Sequence, residues 1–92
     1  MNDRIKGMLG LAKKAGRLVS GEEMVLDAIR SGKAGMVIVT TDASDNSRKL
    51  FHDKCSFYRV PVFDYGTRED FGHVSMAVTD RNFAESIKKL FN

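Results

Sequence analysis

Val19-Ser20-Gly21-Glu22-Glu23-Met24 opens a run that stops at Gly32, and Met36-Val37-Ile38-Val39-Thr40 follows almost at once. Together these two stretches decide the fold class. In the first, Met24, Val25, Ala28 and Ile29 recur at helical spacing and predict an inward stripe, leaving Glu22, Glu23, Asp27 and Arg30 to face out. Ser20 with Glu23 three residues later spells a capping box, a hydroxyl for one orphan amide and a carboxylate for another. The expected helix covers 21–31. The second stretch is apolar and β-branched without alternation, the sign of a strand covered on both faces. Gly32-Lys33-Ala34-Gly35 joins the two and is as short as an αβ connection should be.

Upstream, Ile5, Met8, Leu9 and Ala12 keep helical spacing, with Leu11 widening the stripe, and Gly16 can stop the helix, so a first helix is expected over 3–15. Gly7 and Gly10 flank Met8-Leu9 in a GxxG spelling that clamps phosphates in one RNA-binding fold; inside a helical stripe it predicts close packing against a neighbour instead. Leu18-Val19 is a short extended piece. Downstream, Thr41-Asp42-Ala43-Ser44 turns the chain into a third helix, 44–56, with Ser47, Leu50, Phe51, Lys54 and Cys55 on its inner face. Val60-Pro61-Val62-Phe63 reads as a strand, and its proline puts it on a sheet edge. Thr67 with Asp70 can cap one brief turn, stopped by Gly72, before a strand from Val74 to Val78. Thr79-Asp80 then caps a last helix with the stripe Phe83, Ala84, Ile87, Leu90 and Phe91, and Lys88 and Lys89 suit the dipole of its final turn. Helices alternating with doubly covered strands predict a three-layer α/β/α sandwich around a small mixed four-stranded sheet, one domain over residues 1–92.

Composition sets the outer bounds. Ninety-two residues, 42% hydrophobic and 29% charged, allow one modest core. A single proline and no low-complexity tract argue against disorder. No apolar run can span a membrane, no segment resembles a signal peptide, and one cysteine excludes an internal disulfide, so a monomer in the cytoplasm is expected. Net charge is +3, yet residues 1–17 carry Arg4, Lys6, Lys13, Lys14 and Arg17 against Asp3 alone, +4 by themselves. Concentrated positive charge is an electrostatic footprint for nucleic acid.

Catalytic chemistry has little support. There is no P-loop and no GxGxxG after a strand. His52, Cys55 and His73 are too few for a zinc site without further ligands, and Cys55 is expected to be a small buried hydrophobe. Asp42 follows a buried strand and could accept a phosphoryl group, but the carboxylate cluster that would hold a divalent ion is missing; capping is its simpler role. No enzyme activity and no cofactor are expected.

Gly10-Leu11-Ala12-Lys13-Lys14-Ala15-Gly16, Val19-Ser20-Gly21-Glu22-Glu23, Ala28-Ile29, Met36-Val37-Ile38-Val39, Thr41-Asp42-Ala43-Ser44, Lys54-Cys55, Val60-Pro61-Val62 and Ala77-Val78-Thr79-Asp80 resemble, in order and spacing, the ribosomal L-seven-Ae superfamily, and within it a small bacterial branch of YlxQ type. The resemblance covers nearly the whole chain. It implies the same sandwich and binding of kink-turn RNA, in which the start of the second helix enters the major groove at tandem sheared G·A pairs. Gly21 falls on the family glycine; Glu23, Met24 and Asp27 fall where relatives carry asparagine, glutamate and lysine. Carboxylates of Glu22 and Glu23 can accept from guanine, while helix amides with Ser20, Lys13, Lys14 and Arg17 hold phosphates. Asp27 replaces an attraction to phosphate by a repulsion. The family also carries an apolar Leu-Gly…Gly loop before its last strand, which packs on a flipped base. Here Phe71-Gly72-His73 runs straight into Val74: either the loop is short and Gly72 and His73 make a weak contact, or a longer loop is absent from the sequence. The expected partner is structured RNA, ribosomal or regulatory, with no membrane. Two other readings stay open, a receiver-like or small-molecule-binding domain using Asp42 and a protein-interaction module on the same fold.

Overall fold

The computed structural model describes residues 3–91. In chain order the elements are α1 (Asp3–Lys14), β1 (Leu18–Ser20), α2 (Glu22–Arg30), β2 (Met36–Val39), α3 (Asp45–Tyr58), β3 (Val62–Asp64), α4 (Arg68–Phe71), β4 (Ser75–Val78) and α5 (Arg81–Leu90). The sheet order is β1-β4-β2-β3, with β4 antiparallel to both neighbours and β2 parallel to β3. The expected mixed four-stranded sheet is therefore present, and the proline-led strand lies on its edge. β3 begins after Pro61, whose carbonyl accepts the Val37 N–H at 2.9 Å. Proline thus contributes the one group it has.

β2 and β4 are buried at every position because helices cover both faces. Val37, Val39 and Ala77 pack with Val25, Ala28 and Ile29 of α2 and with Phe51 and Cys55 of α3. Met36, Ile38, Met76 and Val78 pack with Ile5 and Leu9 of α1 and with Ala84 and Ile87 of α5. These are two cores separated by one sheet, the three-layer sandwich. Cys55 is fully buried, and desolvation pushes its thiol up to about 11, the inert hydrophobe its helix position implied.

Strand direction gives the sheet two unlike ends. β1, β2 and β3 finish, and β4 begins, at what we term the upper pole. Helices α2, α3 and α4 start there. The ends are tied by Gly21 N–H to Ser75 O (3.1 Å), Thr40 N–H to Val74 O (2.9 Å) and Thr41 N–H to Gly66 O (2.9 Å). At the lower pole, α1, α2 and α3 end and α5 begins, tied by Thr79 N–H to Arg17 O (2.9 Å) and Gly35 N–H to Val78 O (2.8 Å).

Four sequence expectations fail locally, the first at Leu11, which is 54% exposed and does not widen the inward stripe of α1. Ser20 is not the cap of α2: it ends β1, and Gly21 takes the cap position with no side-chain hydrogen bond, so no capping box joins Ser20 to Glu23. Met24 does not join the inward stripe; at 55% exposure it faces solvent, because Val25, Ala28 and Ile29 already fill the face over the sheet. Gly7 and Gly10 are exposed, and a Cβ on either would meet nothing within 4 Å, so the GxxG pair serves no close packing. The box does occur where Thr67 and Asp70 predict it, at α4, and the connection from α4 to β4 is only Gly72-His73-Val74.

Candidate nucleic-acid interface

The start of α2 is built by a backbone that only glycine tolerates. Gly21 sits at φ 91°, ψ 155°, a region closed to side chains. It donates its N–H to Ser75 O while its carbonyl accepts the first helical bond, from Val25 N–H at 3.0 Å. The amides of Glu22, Glu23 and Met24 thus precede the first intrahelical bond, and no side chain caps them. Open amides at a helix start, with the positive end of the dipole behind them, attract anions and acceptor atoms. Glu22, Glu23 and Met24 are all exposed around that point.

His73 is the neighbour. A Cβ on Gly21 would lie 4.0 Å from its Nδ1, so the shortened loop before β4 stands directly beside the α2 start. Gly72 makes that approach by taking the left-handed conformation (φ 79°) and returning its N–H to Arg68 O at 2.7 Å. Asp42 anchors the same corner: its two carboxylate oxygens accept the Arg68 N–H at 3.0 and 3.2 Å. The aspartate therefore caps α4, as its simpler reading held, and leaves the Arg68 side chain exposed at this pole. Arg68 was not among the sequence candidates. The Thr67-Asp70 box that puts it at the first position of α4 was the available signal.

The basic residues divide. Lys13 and Ser20 line one groove along the α1 side of the free edge of β1, with Lys6, Gly10, Asp70 and Phe71. Lys14 ends α1 and is exposed on the lower side. Arg17 is at the lower pole, its Nε 3.9 Å from Asp80 Oδ2, and the whole of β1 separates it from Gly21. The expectation that Lys13, Lys14 and Arg17 gather beside the α2 start thus holds at most for Lys13, because β1 carries the chain from one pole to the other. On the α2 side of the same edge, Met24 and Asp27 share an open groove of about 520 Å³ with Val19, Arg30, Lys33 and Thr79. Two cations there offset the repulsion Asp27 introduces.

Among the described residues no cluster of His, Cys, Asp or Glu could hold a metal ion, and no helix is long and apolar enough to cross a membrane. His52 bonds to Asp64 at 2.9 Å rather than sharing a site with Cys55.

Known proteins resemble this chain over nearly its whole length. The RNA-binding protein YlxQ of Bacillus subtilis (strain 168) is 39% identical over 92 residues, covering 92% of each chain. The RNA-binding protein YlxQ of Enterococcus faecium is 36% identical over 89 residues, covering 90% of this chain and 86% of that protein. A solved structure of a protein of unknown function from Bacillus halodurans C superposes with a TM-score of 0.92 at 32% identity, over 97% of both chains. The model of the ribosomal protein L7Ae/L30e/S12e/Gadd45 family matches residues 3–89, and the chain belongs to that family.

Proposed function

We propose that this chain is a non-enzymatic RNA-binding protein of ribosomal-protein type that recognises kink-turn-like structured RNA with the start of α2. The observation that carries the reading is the uncapped helix start at Gly21, exposed and flanked by His73. Its amides hold a phosphate, and the carboxylates of Glu22 and Glu23 accept from guanine N–H donors in the groove. Exposed Met24 packs on the sugar edge, His73 stands in for the apolar loop, and Lys13 reaches a flanking phosphate from the β1 groove. The carboxylates of Glu22 and Glu23 flank the helix start, so hydrogen bonding to base edges contributes more there than attraction to phosphate. The proposed setting is the cytoplasm, with the protein as a monomer. In this reading Asp42 caps α4 through the Arg68 amide.

The test is a gel shift against a kink-turn duplex and a matched duplex lacking the kink. Preference for the kinked RNA is the expected result. Equal binding to both would reduce the reading to unspecific attraction.

A further inference from the structure

The lower pole carries a second cluster that the reading above does not use. Where the α2–β2 loop meets α5 and the end of α3, a pocket of about 310 Å³ is lined by Lys33, Arg59, Arg81 and Lys88 with Glu85. Four cations face one carboxylate, and that carboxylate is occupied. Lys88 Nζ lies 2.7 Å from Glu85 Oε1, and this bond, aided by the charges of Lys88, Lys89 and Arg81, holds the Glu85 carboxyl below its ordinary range. Among the described residues, Lys33, Arg59 and Arg81 enter no ion pair. The loop amides are turned inward, Lys33 and Ala34 N–H to Ala28 O (3.0 Å each) and Gly35 N–H to Val78 O (2.8 Å), so side-chain cations are what the pocket offers.

Two backbone features hold this arrangement. A Cβ on Gly35 would come 2.9 Å from the Cβ of Ala84, so glycine lets the loop close on α5. Arg59 caps α3 in the left-handed conformation at φ 58°, the one non-glycine residue with positive φ among the described residues. Glycine fits that position without strain and arginine does not. A strained arginine in a cationic pocket points to a role for the side chain. Two residues earlier, Phe57 is 78% exposed, with the ring of Tyr58 edge-on at 5.0 Å. Cations that follow phosphates, beside aromatic faces that take bases, are the composition of single-stranded nucleic-acid sites.

We propose that the lower pole is a second RNA contact: the pocket holds a backbone phosphate of a single-stranded segment and Phe57 stacks on one of its bases. The proposal rests on the RNA-binding reading of the upper pole and extends it, so that one molecule bridges a folded RNA element and an adjoining strand.

Arg59→Gly separates a ligand contact from a structural residue. It relieves strain and removes one cation, so the melting temperature should hold or rise. Affinity for a kink-turn RNA bearing a single-stranded tail should fall severalfold, and the slope of log K against log salt should flatten by about 0.7. The same RNA without the tail should bind Arg59→Gly and the parent alike. Phe57→Ser should weaken the tailed RNA about fivefold or more without changing the salt slope. Inorganic phosphate at constant ionic strength, followed by amide NMR, should shift Gly35 and Arg59. Equal affinity of the parent and both variants for the tailed RNA overturns the proposal, and phosphate shifts alone would then mark a small-anion pocket. A parent that binds the kink-turn without gain from the tail overturns only this proposal; a parent that binds neither RNA overturns the upper-pole reading with it.

Discussion

The upper and lower poles are made from the same parts, ends of strands and ends of helices, yet the side chains at those ends differ. At the upper pole the first turns of α2, α3 and α4 bring Glu22, Glu23, Asp45, Glu69 and Asp70 together, with Asp42 beside them. At the lower pole Arg17, Arg30, Lys33, Arg59 and Arg81 gather where helices end and α5 begins, with Asp80 and Glu85 among them. Helix dipoles favour the acids at the starts of α2, α3 and α4 and Arg30 at the end of α2, whereas Arg81 at the start of α5 stands against its dipole. Because α2, α3 and α4 all start at one end of the sheet, a preference acting on each helix separately gathers their acidic first turns at one pole. The carboxylates at the α2 start are therefore suited to recognise donors on base edges, and the lower-pole pocket to hold a phosphate.

Four substitutions or titrations press on that division. The largest effect is expected from Gly21→Ala. At φ 91°, ψ 155° any side chain is strained, so about 1–3 kcal/mol of stability should be lost in urea unfolding, and kink-turn affinity per folded molecule should fall as the α2 start shifts. Unchanged stability would mean the turn relaxes freely and does not fix the upper pole.

Glu23→Gln comes next. Gly21 is the cap and makes no side-chain bond, so Glu23 closes no capping box and the substitution should leave melting close to the parent. Kink-turn affinity should fall about tenfold, the equivalent of ~1.4 kcal/mol, as the charge-assisted bond to guanine is lost. Equal affinity at the same salt would make the carboxylates at the α2 start a by-product of the helix dipole alone.

Gly7→Ala probes the α1 layer that links the poles. A Cβ there meets nothing within 4 Å, so the helix should gain about 0.5–1 kcal/mol. A gain in stability with lowered RNA affinity would show that RNA backbone approaches this face closely.

The layers, the edge position of β3 and the box at α4 were legible because each follows from local pattern: unbroken apolar runs, one proline, a Thr-x-x-Asp spelling. What was not legible depends on where strands deliver their ends. Lys13, Lys14 and Arg17 are neighbours in sequence, but β1 separates Arg17 from Gly21. Lys33, Arg59 and Arg81 are far apart in sequence, and only the sheet order brings them to one pocket. Ser20 and Glu23 have the spacing of a capping box, but strand pairing with β4 holds Ser20 extended through Met76, and the cap passes to the next residue. Tertiary pairing overrode a correct local signal.

The smallest effect is a pH dependence of the capping box at the upper pole. Asp70 Oδ2 accepts the hydroxyl and the backbone N–H of Thr67, both at 2.9 Å, and Lys6 Nζ lies 3.9 Å from the other oxygen. The Thr67 hydroxyl first, then its backbone N–H, and then Lys6 hold the Asp70 carboxyl below its ordinary value of 3.8. Lowering a carboxyl in the folded state means that its contribution is complete above the ordinary value and is lost as pH falls through the lowered one. The box should therefore survive to pH below 3.8 and then open, releasing α4 and with it the Gly72-His73 approach to Gly21. Amide NMR across that range should show Thr67, Gly72 and His73 moving together with the Asp70 carboxyl. Asp70→Asn should abolish the coupled movement. If Asp70 instead titrates at its ordinary value and Thr67 does not follow, the capping box does not hold in solution, and the placement of His73 beside the α2 start has to come from β4 alone.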